Sequence, residues 1–211
     1  MNAPNDKTSQ SGTPSCCQWP GLEHPLYRNY HDTEWGVPKN KDVELFEKLI
    51  LEGFQAGLSW FTILKKRTDF RNAFAGFDPA RMAAFNKRDI RRLMSDKQIV
   101  RNRLKIEAAI INARSYLALR EHETLAGFLW SFLEKGPIIN TWTRHEELPA
   151  QTPLSHQLSK ALKKEGFRFI GPTTVYAYMQ SVGMVNDHLL GCHRHKVCKK
   201  LQRTYQPENV S

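Results

Sequence analysis

Apolar residues recur at helical spacing along most of the chain. Between residues 42 and 50 they occupy one broad face, and between residues 102 and 119 they follow a longer pattern of the same kind. Spacings of three and four residues are typical of amphipathic helices that pack one face against a core. Asp42 precedes the first pattern and is expected to cap its helix. The apolar positions of the second are Leu104, Ile106, Ala109, Ile110, Ala113, Tyr116 and Leu117.

Capping residues divide the rest of the chain into shorter helices. Ser59 precedes an apolar run that ends in three basic residues, and Asp78 is followed by Pro79, a favoured first helical residue. Asn86 and Thr124 precede further helices, the latter being expected over residues 125–133. Residues 138–153 are predicted to be a loop. The sequence contains no series of alternating strand-like runs and no internal repeat, so it predicts an all-α fold.

Length and composition favour one helical domain. The 211 residues include 40% hydrophobic residues, enough for one core. We expect the domain to span residues 16–198, after a disordered polar tail at 1–15 and before a flexible tail at 199–211. No apolar run approaches the ~20 residues that span a bilayer, and residues 1–15 resemble neither a secretory nor a transit signal. These features predict a cytoplasmic protein without membrane partners.

Charge narrows the class of partner. The chain has 31 Lys and Arg against 21 Asp and Glu, a net charge of +10. Such a surface attracts polyanions, with nucleic acid favoured over an anionic membrane surface. Charge alone also fits a protein whose surface is merely positive.

The cysteines indicate metal binding or free thiols, since disulfides are rare in intracellular proteins. His188 and Cys192 are four residues apart, which on a helix places both side chains on one face. Cys17 and His31 form a second pair, and the four side chains together would complete a structural zinc site. The spacing of Cys17 and His31 matches no common zinc finger. The ligand set stays open because other candidates lie nearby: Cys16, Cys198, His193 and His195.

Residues 156–183 have the pattern of two helices joined by a glycine-containing turn. Gly171 would let a phosphate approach the backbone, and the free amides near Thr173 would attract it. An ordinary helical hairpin with solvated lysines is the alternative. Four basic residues favour DNA-backbone binding: Lys160, Lys163, Lys164 and Arg168.

Three of the chain's five tryptophans fall in the first 60 residues, where they and nearby tyrosines could form a pocket for a flipped-out base. Glu52 lies among apolar and small residues, and a buried carboxylate is costly unless it has a partner or a task. It could accept a hydrogen bond from an exocyclic amine and favour a cationic base. The alternative is that Glu52 faces solvent and the aromatic residues belong to the core. The candidate pocket residues are Trp19, Tyr27, Tyr30, Trp35 and Trp60.

Several long motifs in order resemble the bacterial 3-methyladenine DNA glycosylase I family. They are YHDTEWG at 30–36, LEGFQAGLSW at 51–60, LSKALKK at 158–164 and VNDH at 185–188. The resemblance covers nearly all of the chain from Cys17 to Cys192.

The resemblance implies a helix-hairpin-helix DNA glycosylase with a structural zinc held by Cys17, His31, His188 and Cys192. It implies that Glu52 binds the base within the five aromatic residues named above. Leu58 would fill the gap that the flipped nucleotide leaves. The implied substrate is double-stranded DNA containing alkylated adenine, and we expect a monomer.

One departure from the wider superfamily concerns mechanism. Many helix-hairpin-helix glycosylases have a catalytic aspartate at the position that Asn186 occupies here, and Asp187 is one position off. An N3-alkylated adenine is cationic and leaves as a neutral base, so less catalytic help is required. We therefore expect monofunctional hydrolysis by water. The alternatives are a zinc-stabilised DNA-binding module without catalysis and a glycosylase for another lesion.

Overall fold

Helices make up most of the chain described by the structure, a computed structural model that covers residues 16–205. The predicted tail at 1–15 lies outside this range. Two short strands, β1 (Ile138–Ile139) and β2 (Val185–Asn186), pair in parallel. The helices are α1 (Pro25–Thr33), α2 (Asp42–Gln55), α3 (Trp60–Lys65), α4 (Arg67–Ala73), α5 (Pro79–Ala83), α6 (Lys87–Ser95), α7 (Arg103–Leu119), α8 (Leu125–Trp130), α9 (Pro153–Lys164), α10 (Pro172–Ser181) and α11 (His193–Thr204).

Local capping works as the sequence predicts at four helices. Ser59 accepts from the amide of Thr62, and Thr124 accepts from that of Gly127. Asp78 caps α5, and Asn86 forms a capping box at α6. Each cap satisfies an amide that the first helical turn leaves without a partner.

The predicted role of Asp42 as the cap of its own helix is wrong. Lys41 occupies the cap position of α2, and Asp42 is its first helical residue. The Asp42 carboxylate instead accepts from the amides of Leu125 and Ala126, at 3.1 and 2.9 Å, and from the hydroxyl of Tyr116. It therefore joins the start of α2 to the start of α8.

Helix α2 crosses the core and packs against α3, α7, α8 and α10. Every residue from Lys48 to Phe54 is buried. Because this part of α2 has no solvent face, its charged residues Lys48 and Glu52 lie in the interior.

The segment predicted as a loop at 138–153 contains β1 and a 3₁₀ turn at His145–Glu147. Ile138 and Ile139 pair with Val185 and Asn186. Two residues are too few to produce an alternating pattern, so the sequence carries no signal for this pair. Helix α8 also ends at Trp130, before the predicted end at residue 133.

Helices α9 and α10 form the predicted hairpin, with α10 beginning at Pro172. The turn between them places Gly166 at φ 90° and Phe169 at φ 60°. Helix α7 holds this turn: Asn112 donates to the carbonyl of Arg168 and accepts from its amide, at 3.1 and 2.7 Å. The turn is therefore fixed against the core.

The buried face of α7 differs from the predicted one. Leu104 and Leu117 are exposed, whereas Lys105, Asn112 and Ser115 are buried. Lys105 and Asn112 bind neighbouring backbone groups, so α7 serves as a polar support as well as a core helix.

The last helix extends beyond the predicted end of the domain. The boundary at residue 198 falls inside α11, which continues to Thr204. Gln202 is buried and donates to the carbonyls of Gly36 and Gly183, which holds this part of the helix on the domain. Over the described part of the chain, no helix has the length and apolar character needed to cross a membrane.

Candidate active site

A cavity of about 360 Å³ opens between α1, α2 and α10. Five aromatic side chains and one carboxylate line it. The rings of Trp19 and Trp35 meet edge to face at 4.6 Å, and those of Tyr30 and Trp60 lie 5.3 Å apart. The sequence-predicted residues that line the cavity are Trp19, Tyr27, Tyr30, Trp35, Glu52 and Trp60.

Glu52 is 3% exposed. Burial raises the pKa of its carboxyl group well above the ordinary value, and the neighbouring Lys48 opposes that rise. Lys48 lies one helical turn earlier on α2 and is also buried, which lowers the pKa of its ammonium group. The two groups therefore share one desolvated region of the helix.

The Lys48 ammonium group lies behind the cavity wall. Its Nζ donates to the Tyr30 hydroxyl at 3.0 Å and lies 4.4 and 4.1 Å from the ring centroids of Tyr30 and Trp60. A cation over an aromatic face is stabilised by the ring quadrupole. The rings of Tyr30 and Trp60 thus lie between this lysine and the cavity.

Asp187 supports another part of the cavity lining. It is 1% exposed and accepts four hydrogen bonds, each from a different side chain. Oδ1 accepts from Asn140 and Trp142 at 2.6 and 2.7 Å. Oδ2 accepts from Tyr176 and Gln180, each at 2.7 Å. Gln180 lines the cavity, so Asp187 is connected to it through one residue.

Asn186 serves the backbone. Its amide donates to the carbonyl of His195 at 3.1 Å and accepts from the amide of His188 at 3.3 Å. Both functional ends of the side chain are occupied, and the side chain is fully buried.

Two cysteines and two histidines from the two ends of the domain form a buried cluster: Cys17, His31, His188 and Cys192. Their ligand atoms all lie within 4.8 Å of one another. Cys17 Sγ lies 3.5 Å from Nδ1 of His188, and Cys192 Sγ lies 3.6 Å from Nε2 of His31. Such a set of soft and imidazole donors could hold a metal ion.

Second partners fix both imidazole rings. His31 Nδ1 lies 2.6 Å from a carboxylate oxygen of Asp32, and His188 Nε2 lies 3.1 Å from the carbonyl of Trp35. Each histidine thereby points its other nitrogen into the cluster. Metal-binding histidines commonly have such partners.

The expectation that His188 and Cys192 lie on one helical turn is wrong. His188 follows β2 in an irregular segment, and Cys192 is the cap of α11, where it accepts from the amide of Arg194. The chain instead turns at residues 190–191, and Cys192 Sγ still lies 3.7 Å from Nδ1 of His188.

The other four candidate ligands contact different groups. Cys16 accepts from Arg28, and Cys198 lies 3.7 Å from the carbonyl of Trp35. His193 pairs with Asp32, and His195 Nε2 lies 2.9 Å from the carbonyl of Asn140.

Leu58 occupies an exposed position next to the cavity. Its side chain is 43% exposed and follows Gly57, which has φ 78° and open space where a Cβ would be. A second cavity of about 230 Å³ separates this loop from Thr173 at the start of α10 and shares Glu52 with the first. The ammonium group of Lys105 donates to the carbonyls of Phe54 and Ala56 and so holds the loop.

The basic residues of the hairpin face solvent, as does Thr173. The position where a Cβ on Gly171 would lie is open space, with no described neighbouring atom within 4 Å, so its backbone is accessible. The exposed basic residues are Lys160, Lys163, Lys164 and Arg168.

Comparison with known proteins identifies the family. The family described as methyladenine glycosylase matches residues 19–195. The chain belongs to this family.

Relatives cover nearly the same range. DNA-3-methyladenine glycosylase 1 of Escherichia coli strain K12 is 49% identical over 177 residues, which is 83% of this chain and 94% of the relative. A crystal structure of 3-methyladenine DNA glycosylase I superposes with a TM-score of 0.83 at 48% identity, covering 85% and 98% of the two chains. The crystal structure of a tyrosine-to-phenylalanine variant of 3-methyladenine DNA glycosylase I in complex with 3-methyladenine has a TM-score of 0.79 at 37% identity, covering 82% and 94%.

For this methyladenine glycosylase, sequence reasoning identified the aromatic walls and Glu52 but missed other parts of the site. Gln55, Ala177 and Gln180 also line the cavity, together with His145 and Leu148 from the segment after β1. A polar residue on an otherwise apolar helix face was the available signal for Lys48 and Lys105. Gln180 and the other three partners of Asp187 carry no such signal in the sequence.

Replacement of Lys48 by methionine tests the coupling of the two buried charges. Because the ammonium charge lowers the pKa of Glu52, we expect Lys48→Met to raise it further above the ordinary value of 4.5. A carboxyl group with a raised folded-state pKa loses its contribution to stability as pH rises from the unfolded-state pKa through the folded-state pKa. The unfolding free energy of the variant should therefore fall more than that of the wild type as pH rises from 4.5 past neutrality.

The measurement is carboxyl NMR titration together with chemical denaturation at several pH values. Lys65→Met is the matched control, since Lys65 lies over the Phe61 ring but is exposed. An unchanged Glu52 pKa in Lys48→Met would show that the two groups are not coupled.

Proposed function

We propose that this protein is a DNA-3-methyladenine glycosylase, a base excision repair enzyme that hydrolyses the N-glycosidic bond of 3-methyladenine in alkylated DNA. The observation that carries the proposal is the buried carboxylate of Glu52 in an aromatic cavity. A cavity of about 360 Å³ accommodates one purine base. Membership of the methyladenine glycosylase family and the names of its relatives support the same substrate.

Glu52 supplies selectivity for a charged base. A neutral adenine offers the buried carboxylate no further positive charge, whereas a cationic base stabilises the ionised form. The aromatic side chains of the cavity replace the stacking that the base loses on leaving the duplex. The cavity thus selects the same positive charge that weakens the glycosidic bond of the lesion.

The chemical step needs little more from the protein. A protonated or alkylated purine leaves neutral, so an oxocarbenium-like sugar forms and water attacks it. The amide of Asn186 cannot act as a base, and it is engaged with the backbone. Lys48 is separated from the cavity by Tyr30 and Trp60, which argues against Schiff-base chemistry and for a monofunctional enzyme.

The α9–α10 pair acts as a helix-hairpin-helix element on double-stranded DNA. The amides at the start of α10 and the four exposed basic side chains would bind phosphates without reading sequence. Leu58 would enter the duplex where the nucleotide has left. The second cavity connects Leu58 and Thr173 to Glu52, and so provides a path for the flipped nucleotide.

The Cys/His cluster would hold a structural zinc ion. With Zn–S of about 2.3 Å and Zn–N of about 2.0–2.1 Å, tetrahedral coordination separates sulfur and nitrogen ligands by about 3.6 Å. The sulfur–nitrogen separations of 3.5, 3.6 and 3.7 Å fit this geometry. All four side chains are buried, so a zinc ion bound by them would cross-link the two ends of the domain.

Base release tests the proposed function directly. The wild type should release free 3-methyladenine from methylated duplex DNA, and Glu52→Gln should release it more slowly. The expected loss is about 1–3 kcal/mol in barrier, as for one charge-assisted hydrogen bond. Glu47→Gln is the control, because Glu47 is on the same helix but pairs with Arg71 outside the cavity.

The assay is single-turnover release, with binding to unmodified duplex measured in parallel. Failure of the wild type to release any base would favour a zinc-stabilised DNA-binding module. Release of another alkylated base alone would favour a glycosylase for a different lesion.

Metal analysis tests the zinc proposal. We expect about one zinc per chain in the purified protein, and its loss in Cys192→Ala together with a fall of roughly 10 °C in thermal midpoint. Cys198→Ala is the matched control, since Cys198 is equally buried but lies against the Trp35 carbonyl. A metal-free wild type that is folded and active would contradict the proposal.

Salt titration tests the hairpin. Lys163→Ala should weaken binding to all duplex sequences alike and reduce the slope of log K against log salt by about 0.9. Lys200→Ala, an exposed lysine on α11, should leave both unchanged. Equal behaviour of the two variants would mean that DNA lies elsewhere on the surface.

A further inference from the structure

Asp187 accepts a hydrogen bond at each of its four side-chain contacts. Trp142 fixes Oδ1 as an acceptor, because an indole N–H can only donate. At Oδ2, the 2.7 Å contact with Nε2 of Gln180 requires the amide group to turn its nitrogen toward the carboxylate. The other contacts come from Asn140 and Tyr176.

This arrangement determines what Gln180 offers to the cavity. Because one N–H of Nε2 donates to Asp187, the orientation of the amide is fixed, and its other terminal atom is Oε1, which can only accept. Gln180 lies three residues after Ala177 on the same face of α10, and both line the cavity together with Glu52. Glu52 and Gln180 therefore bring two side-chain acceptors to the cavity from the neighbouring helices α2 and α10.

We propose that Asp187 is a positioning residue that holds Oε1 of Gln180 as an acceptor for the 6-amino group of the bound purine. This inference rests on the proposed function. A 6-amino group has two N–H bonds, so Glu52 can accept one and Gln180 the other. A 6-oxo purine such as 3-methylguanine is also cationic in DNA. Its oxygen at position 6 would face Oε1 of Gln180, and because both atoms are acceptors this base is rejected.

Asp187→Asn tests this arrangement by replacing one carboxylate oxygen with an NH₂ group of nearly the same size. Trp142 must still donate, so the oxygen of the new amide takes the place of Oδ1 and its NH₂ group faces Tyr176 and Gln180. The tyrosine hydroxyl can accept by rotating. Gln180 can accept only by flipping its amide, which replaces the acceptor in the cavity with a donor.

The experiment measures single-turnover release of 3-methyladenine and 3-methylguanine from the same methylated duplex. The ratio is the rate for 3-methyladenine divided by the rate for 3-methylguanine. In Asp187→Asn we expect this ratio to fall about tenfold or more. Adding Gln180→Glu to this variant restores an acceptor that can take the N–H of the substituted amide, so the ratio should recover. A purely structural role for Asp187 would not be rescued by that second change.

Tyr176→Phe is the matched control, because it removes a donor to the same Oδ2 but does not line the cavity. It should lower stability and leave the ratio unchanged. Zinc content is measured in each variant because His188 is adjacent. If Asp187→Asn does not fold, Gln180→Met must lower the ratio in its place.

An unchanged ratio in Asp187→Asn or Gln180→Met overturns the inference, as does equal loss of both activities without rescue. Those results leave the proposed function standing, since the wild type would still release 3-methyladenine. Absence of release by the wild type removes the proposed function, and the inference with it.

Discussion

Transfer of the Glu52 carboxylate from water into the core is the energetic constraint around which this structure is arranged. A buried ionised carboxylate is expensive, and only a partner or a neutralising proton reduces that cost. Lys48 is a partial partner, because it is desolvated itself and directs its charge to the Tyr30 and Trp60 rings. The site is therefore left with capacity for a positive ligand, which a fully satisfied ion pair would not have.

Keeping such a group buried requires a rigid surrounding, and polar side chains from distant helices provide it. Helix ends have amides and carbonyls without intrahelical partners. Asp42 accepts from the amides at the start of α8, and Lys105 donates to the carbonyls at the end of α2. Asn112 binds the backbone of the α9–α10 turn. Each bond satisfies a backbone group and at the same time fixes one element relative to another. The loop that carries Leu58 and the turn of the hairpin are both held by α7 in this way.

Contacts between residues close in the chain could be predicted from the sequence, whereas contacts between distant residues could not. Thr124 caps α8 through a residue three positions away, and the sequence shows this directly. Asp42, like Thr124, precedes an apolar helical pattern. Its backbone partners are nevertheless 83 and 84 residues away, so the prediction that it caps its own helix was wrong. The aromatic walls and Glu52 were predictable because they are close in sequence and match a known family. The four partners of Asp187 come from two segments, the residues after β1 and helix α10, and became apparent only in the structure.

The position of Asn186 shows how the fold and the chemistry fit together. Its amide binds the backbone of His188 and His195, and thus supports the segment that carries two members of the Cys/His cluster. A carboxylate there could not donate to the His195 carbonyl and would place two acceptors against each other in a buried region. A glycosylase for a neutral base would need a catalytic acid or base near the sugar despite this cost. A base that is already cationic leaves without such help, so a residue at this position can serve stability, and the proposed selectivity would then come from the buried charge of Glu52.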